Sequence, residues 1–162
     1  MLDLETTGLG PGAEPVEVGV VGPRGDRLVD TLVRPECKVE AGAARVHGLD
    51  DEALAAAPGF AELYPELEGI LRGRVVVAYA AAFDRAIMEH ACRSRGLPPL
   101  AVQWDCAHAR YAAWRGFPAS LSMACEIEGL APARRHRAAC HRAAPDARRV
   151  WELIQRMAGL GH

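Results

Sequence analysis

The chain has no asparagine and a single lysine, Lys38, so its positive charge is carried almost wholly by arginine; alanine is abundant. That bias reads as genome composition and carries no functional meaning. Excess positive charge is also lacking. The formal net charge is −2, which excludes a basic protein that clamps duplex DNA through many phosphate contacts. It leaves open a protein that grips a few nucleotides through metal ions. No apolar run reaches the length that crosses a bilayer; Val75-Val76-Val77-Ala78 is strand-sized. No secretory pattern opens the chain, because Asp3 and Glu5 fall where a basic stretch should lead into an apolar one. The five cysteines (Cys37, Cys92, Cys106, Cys125 and Cys140) are odd in number and include no CxxC pair. A disulfide framework is therefore not expected, and a reduced, cytoplasmic setting is. Cys106-x-His108 and His136-x-x-x-Cys140-His141 match no structural zinc spacing and read as buried or incidental thiols. Repeats, low-complexity tracts and linkers are missing too, which predicts one domain over 1–162.

What is present suits a globular fold. Half the residues are hydrophobic and a quarter charged, and a domain this long buries roughly two-thirds of its unfolded surface. Leu2 to Glu5 starts a strand, followed by a turn at Thr7-Gly8-Leu9-Gly10-Pro11-Gly12. Val16 to Val21 and Arg27 to Val33 read as two further strands, joined by hairpin chemistry at Gly22-Pro23-Arg24-Gly25. Asp50-Asp51-Glu52 caps a helix over Glu52–Ala57, and Phe60 to Arg72 has helical apolar spacing. Arg74 to Ala80 reads as a strand covered on both faces. Phe83, Ile87, Met88 and Ala91 form a helical stripe, Val102–Ala107 a fifth strand, and Leu121 to Ile127 a short helix. Val150, Leu153, Ile154 and Met157 mark a last helix opened by Pro145. The expected order is βββ–α–α–β–α–β–α–α, an α/β fold.

Four acidic residues and a histidine stand out against this frame. Asp3 and Glu5 are two apart on a strand, so both carboxylates leave one face while Leu2 and Leu4 leave the other. A solvent-facing edge would look the same, but the turn that follows lies off a strand end, where α/β proteins place ligands. Asp84 falls in a first helical turn, a position where Asp is most often a cap. Asp146 lies on the apolar stripe of the final helix, and a carboxylate there needs a partner. His141 precedes it by five residues.

Taken in order, Leu2-Asp3-Leu4-Glu5-Thr6-Thr7-Gly8-Leu9, Ala82-Phe83-Asp84 and His141-Arg142-Ala143-x-x-Asp146 resemble the three motifs of the DEDDh 3′–5′ exonucleases. That family includes the proofreading subunit of bacterial DNA polymerase III, RNase T and oligoribonuclease. Arg45-Val46-His47-Gly48-Leu49 resembles its His-Gly segment. The resemblance implies a ribonuclease H-like mixed five-stranded sheet flanked by helices. It further implies a metal-dependent exonuclease that removes nucleoside 5′-monophosphates from single-stranded DNA or RNA 3′ ends. Asp3, Glu5, Asp84 and Asp146 would hold two Mg²⁺ or Mn²⁺ ions, and His141 would be the general base. Four such carboxylates repel by about 4 kcal/mol per close pair at an effective dielectric of 20, so cations are needed to fill the cluster. Thr7, Gly8 and Leu9 would meet the terminal nucleotide, with His47 and Phe83 lining the same pocket. Leu9 reads equally as a core residue or as a wedge against the base; His47 also suits a helix approach, and Phe83 suits the core. Arg134, Arg135, Arg137, Arg142, Arg148 and Arg149 crowd the third motif and would form a solvated face or draw in the strand.

Two departures stand beside the resemblance. Ala80 occupies the place where the family usually has Asn, which predicts reduced activity or altered substrate grip. Only Met1 and Leu2 precede Asp3, which predicts a shortened first strand, with either a start placed too late or a site held less rigidly. These features keep two other functions in view: a weakly active or non-catalytic nucleic-acid or nucleotide-binding module, and a subunit docked to a DNA polymerase in replication or repair.

Overall fold

Alternation along the first strand decides which way the fold faces. The computed structural model describes residues 1–130 and 141–159. Strand β1 (Leu2–Thr6) pairs antiparallel with β2 (Pro15–Val21), which pairs antiparallel with β3 (Arg27–Leu32). Leu2 and Leu4 enter a core with Val18, Val20 and Val29. The same core takes Phe60, Leu63 and Leu67 of helix α3 (Phe60–Leu71) and Ile87, Met88 and Ala91 of α4 (Ala81–Ser94). Asp3 and Glu5 leave the opposite face, where their ladder partners are Gly19 and Glu17.

Helix α7 (Ala143–Met157) covers that second face. Its buried stripe begins with Ala143, Ala144 and Ala147 before Val150 and Leu153, so its first turns come close to the sheet. Gly19 makes the approach feasible: a Cβ there would lie 2.3 Å from the Ala143 carbonyl carbon. Strand β2, covered on both faces, is buried along its whole length. A smaller cluster joins Leu153 to Tyr111 of α5 (Ala107–Arg115) and Ala124 of α6 (Leu121–Ile127).

The five expected strands are present, but they are hydrogen-bonded as two sheets and not one. Strands β4 (Val75–Ala78) and β5 (Gln103–Cys106) form a separate parallel pair. β4 lies against β1, yet it is only four residues long.

The helices follow from local signals where those signals were strong. Asp50 caps α2 (Asp51–Leu54) by accepting from the Ala53 N–H at 2.9 Å, although the helix stops short of Ala57. In α3 the Glu62 carboxylate reaches back to the Gly59 N–H at 2.7 Å. Two helices were not expected: α1 (Ala41–His47) and α5. Both are alanine-rich and lack a repeating stripe of large apolar residues, so periodicity gives little signal. Helix α7 starts at Ala143 and not at Pro145, which falls in its first turn, where a missing N–H costs nothing. None of the described helices is long and apolar enough to cross a membrane.

Candidate active site

β1, the start of α4 and the start of α7 meet at a cleft of about 240 Å³. Asp3, Glu5, Asp84, His141 and Asp146 all line it, with Phe83 and Ala80 at the α4 side. Residues from the two ends of the chain therefore share one acidic pocket. The His141 Nδ1 lies 3.3 Å from Asp146 Oδ2. Glu5, His141 and Asp146 each offer an atom within 4.8 Å of the others. His141 remains half-exposed and Asp146 is buried.

Asp3, Glu5 and Asp84 are held above the ordinary carboxyl range. Burial pushes Asp3 well up, and Asp84, Asp146, Glu5 and Glu17 add repulsion. Glu5 is pushed up to about 8 by burial, then by Asp146 and Glu17, with Arg142 opposing. Burial raises Asp84 to about 7, against backbone hydrogen bonds from Asp84 itself and Leu4. Such a cluster is short of positive charge. Its donors are carboxylate oxygens with one imidazole, a set that fits hard divalent cations of the Mg²⁺ or Mn²⁺ kind.

The turn after β1 is built by its own side chains. Thr6 Oγ1 donates to the Gly8 carbonyl at 2.8 Å. Thr7 Oγ1 accepts from the Glu14 N–H at 3.0 Å, with Cys37 Sγ 3.4 Å away, so the hydroxyl is already engaged. Gly8 lies under the Glu40 carboxylate, where a Cβ would meet Oε1 at 2.3 Å. Leu9 is 85% exposed at the tip and is not part of the core. Phe83 packs against the main core while bordering the cleft.

Thr7, Gly8, Leu9 and His47 are not brought to the cleft wall. His47 is buried behind it. Its Nδ1 accepts from the Leu49 N–H at 3.1 Å, so the ring proton sits on Nε2, which donates to the Thr6 carbonyl at 3.1 Å. Burial lowers its pKa and keeps it neutral. The Nε2 bond ties the end of α1 to the end of β1.

Several lining groups escaped the sequence reading. Arg149 enters the cleft and binds Asp146 Oδ1 at 3.2 Å; it was visible only as one arginine in a run, although its three-residue spacing from Asp146 is a helical neighbour spacing. Ser120 and Ser122 also line the wall. The other described arginines of that run are engaged as well. Arg142 pairs with Glu17, and Arg148 pairs with Glu152 and stacks on Trp151. Arg134, Arg135 and Arg137 lie outside the described residues, as do His136 and Cys140. Cys106 Sγ donates to the Tyr79 carbonyl at 3.3 Å, and His108 packs edge-on to the Tyr79 ring.

Comparison with known proteins matches this chain to a family. A family model described as exonuclease covers residues 1–154. An uncharacterized exonuclease, CP81 of Escherichia phage 186, is 31% identical over 123 residues, covering 72% of this chain and 63% of that protein. The DNA polymerase III subunit epsilon of Escherichia coli K12 is 34% identical over 100 residues, covering 56% of this chain and 41% of the subunit. The chain thus spans less than two-thirds of these relatives. Among solved structures, the nuclease domain of 3′hExo, a DEDDh family member bound to rAMP, superposes with a TM-score of 0.77. It is 18% identical, and the match covers 98% of this chain and 90% of that domain. That likeness establishes the α/β fold.

Proposed function

The chain belongs to the exonuclease family, and from that premise we propose that it is a cytoplasmic, metal-dependent 3′–5′ exonuclease with a ribonuclease H-like fold. Its substrate is a single-stranded DNA or RNA 3′ end, and its product a nucleoside 5′-monophosphate. The observation that carries this reading is the convergence of Asp3, Glu5, Asp84, His141 and Asp146 on one cleft.

Asp3, Glu5, Asp84 and Asp146 are the residues that would hold two divalent cations. Such ions, when bound, activate water and neutralise charge on a phosphodiester. The Nδ1 of His141 faces Asp146, which fixes the ring and leaves Nε2 to take the proton of the attacking water. Exposure of His141 then lets that proton pass to solvent. The water oxygen bonds to phosphorus, the bond to the 3′ oxygen breaks, and that oxygen takes a proton to become the new 3′-OH. Leu9, standing free at the turn, offers apolar surface to the terminal base, and Phe83 offers it from the opposite element.

The direct test is release of mononucleotides from 5′-labelled DNA and RNA oligomers of matched sequence, with Mg²⁺ or Mn²⁺. Stepwise shortening from the 3′ end, lost on chelation, is expected. Absence of shortening with both metals overturns the reading. In that case binding of the intact oligomer favours the second reading, a nucleic-acid-binding module. Ala80 supports that alternative: it borders the cleft but offers only a methyl group. Similarity to the epsilon subunit supports a polymerase partner, to be tested by co-purification with the replicative polymerase.

A further inference from the structure

Glu17 has no place in the chemistry above, yet it is fully buried on β2, directly opposite Glu5. Its carboxylate is fully used. Oε1 accepts from Arg142 Nε at 2.7 Å and from Arg142 Nη2 at 2.5 Å, and Oε2 accepts from the Ala143 N–H at 3.0 Å. Those two residues lie between His141 and Asp146. We infer that Glu17 is a positioning residue: it clamps Arg142 and the first amide of α7, and so sets where His141 and Asp146 stand above the β1 carboxylates. The inference rests on the exonuclease reading for its catalytic consequence, and on geometry alone for the clamp.

Three observations support it. First, Arg142, the residue at the N-cap of α7, makes no side-chain cap of its own. Glu17 supplies the missing acceptor from another element, and its negative charge also suits a helix N-terminus. Second, Gly19, two residues along the same face, lets the α7 backbone touch β2, so the clamp acts at the point of closest approach. Third, the only other backbone tether on the described side of His141 is its N–H, which donates to the Val46 carbonyl at 3.1 Å. An ion pair between a buried carboxylate and a half-exposed arginine is a weak source of stability, since desolvation of Glu17 offsets much of the attraction. Core packing does not need it either, because Val18 and Val20 already fill the other face of β2. What the pair fixes is the position of α7's first turn.

The test compares the full chain with Glu17→Gln, Glu17→Asp and Arg142→Gln. Glu17→Gln keeps an acceptor for the Ala143 amide but loses the charge facing Arg142. The expected result is kcat lowered about 10- to 100-fold at nearly unchanged KM, as for a misplaced base. Glu17→Asp should recover part of the loss. A structure-independent readout is Mn²⁺ broadening of the His141 imidazole signal in NMR. It should be strong in the parent chain and weaker in both charge-removing variants. Parental kcat and parental broadening in folded Glu17→Gln and Arg142→Gln would overturn the clamp. If the parent chain degrades no oligomer, the exonuclease reading fails separately, and the broadening still decides the clamp. If Glu17→Gln does not fold, Arg142→Gln carries the test, since it leaves the Glu17–Ala143 bond in place.

Discussion

The two sides of the cleft are built on different principles. Asp3 and Glu5 stand on a strand whose backbone is paired residue by residue with β2. His141 and Asp146 stand at the mouth of a helix held by side-chain contacts, Glu17 to Arg142 and to the Ala143 amide, and by one backbone bond to Val46. The first side is fixed by the same ladder that fixes the fold. The second is set by how α7 packs against β2 and by the Glu17 contacts at its first turn. Losing a β1 carboxylate should therefore remove metal affinity, whereas removing or displacing His141 alone should slow turnover and spare binding.

Asp3→Asn probes the first side and carries the largest expected effect. Activity should fall by at least about a thousandfold, the scale seen when one member of a catalytic set is removed. Mn²⁺ uptake by calorimetry should fall with it. The metal-free variant should melt higher than its parent, because Asp3 is buried among like charges. Retained metal affinity would place the ion elsewhere.

His141→Ala probes the second side. A lost general base costs roughly 10²- to 10⁴-fold in kcat, and calorimetry should show Mn²⁺ still bound. Loss of Mn²⁺ along with turnover would instead make His141 a ligand, joined with Glu5 and Asp146, whose donor atoms it already approaches.

Acidity gives the third comparison. Glu5 sits at about 8 against an ordinary 4.5, and Asp84 at about 7 against 3.8. Between those limits the folded chain keeps protons that the unfolded chain has released. Stability of the metal-free protein must then fall as pH rises through that window. Melting temperature measured from pH 5 to 8 in a chelator should decline. Saturating Mg²⁺ or Mn²⁺ should flatten the decline, since ion binding displaces those protons. A flat metal-free profile would mean that the β1 side carries no stored repulsion.

Ala80→Asn should give the smallest change. Residue 80 is the N-cap of α4 and makes no side-chain cap. An Asn side chain there should add about 1 kcal/mol of stability and bring an amide to the cleft wall, raising kcat/KM. Unchanged or lower kcat/KM would show that the amide is not missed.

Features with a local signal were legible in the chain. Alternation at Leu2–Glu5, the valine run of β4 and the cap at Asp50 each declare themselves within a few residues. Features with a distant determinant were not. The division into two sheets depends on how β4 meets β1 across space. The hydrogen bonds of Thr7 and His47 run to Glu14, Leu49 and Thr6, partners that no motif names. Leu9 was ambiguous because a leucine in a turn is equally compatible with core and solvent until the neighbours are placed.

The amino-acid order by itself determined the strongly patterned elements, the face on which Asp3 and Glu5 project, and the family resemblance, because periodicity and motif spacing are properties of short segments. Tertiary structure alone decided that Glu17 faces Arg142 across 125 positions of chain, that Arg149 reaches Asp146 inside the cleft, and that Leu9 stands in solvent. Those outcomes depend on which surfaces meet when α7 packs onto β2, and packing is a property of the whole chain.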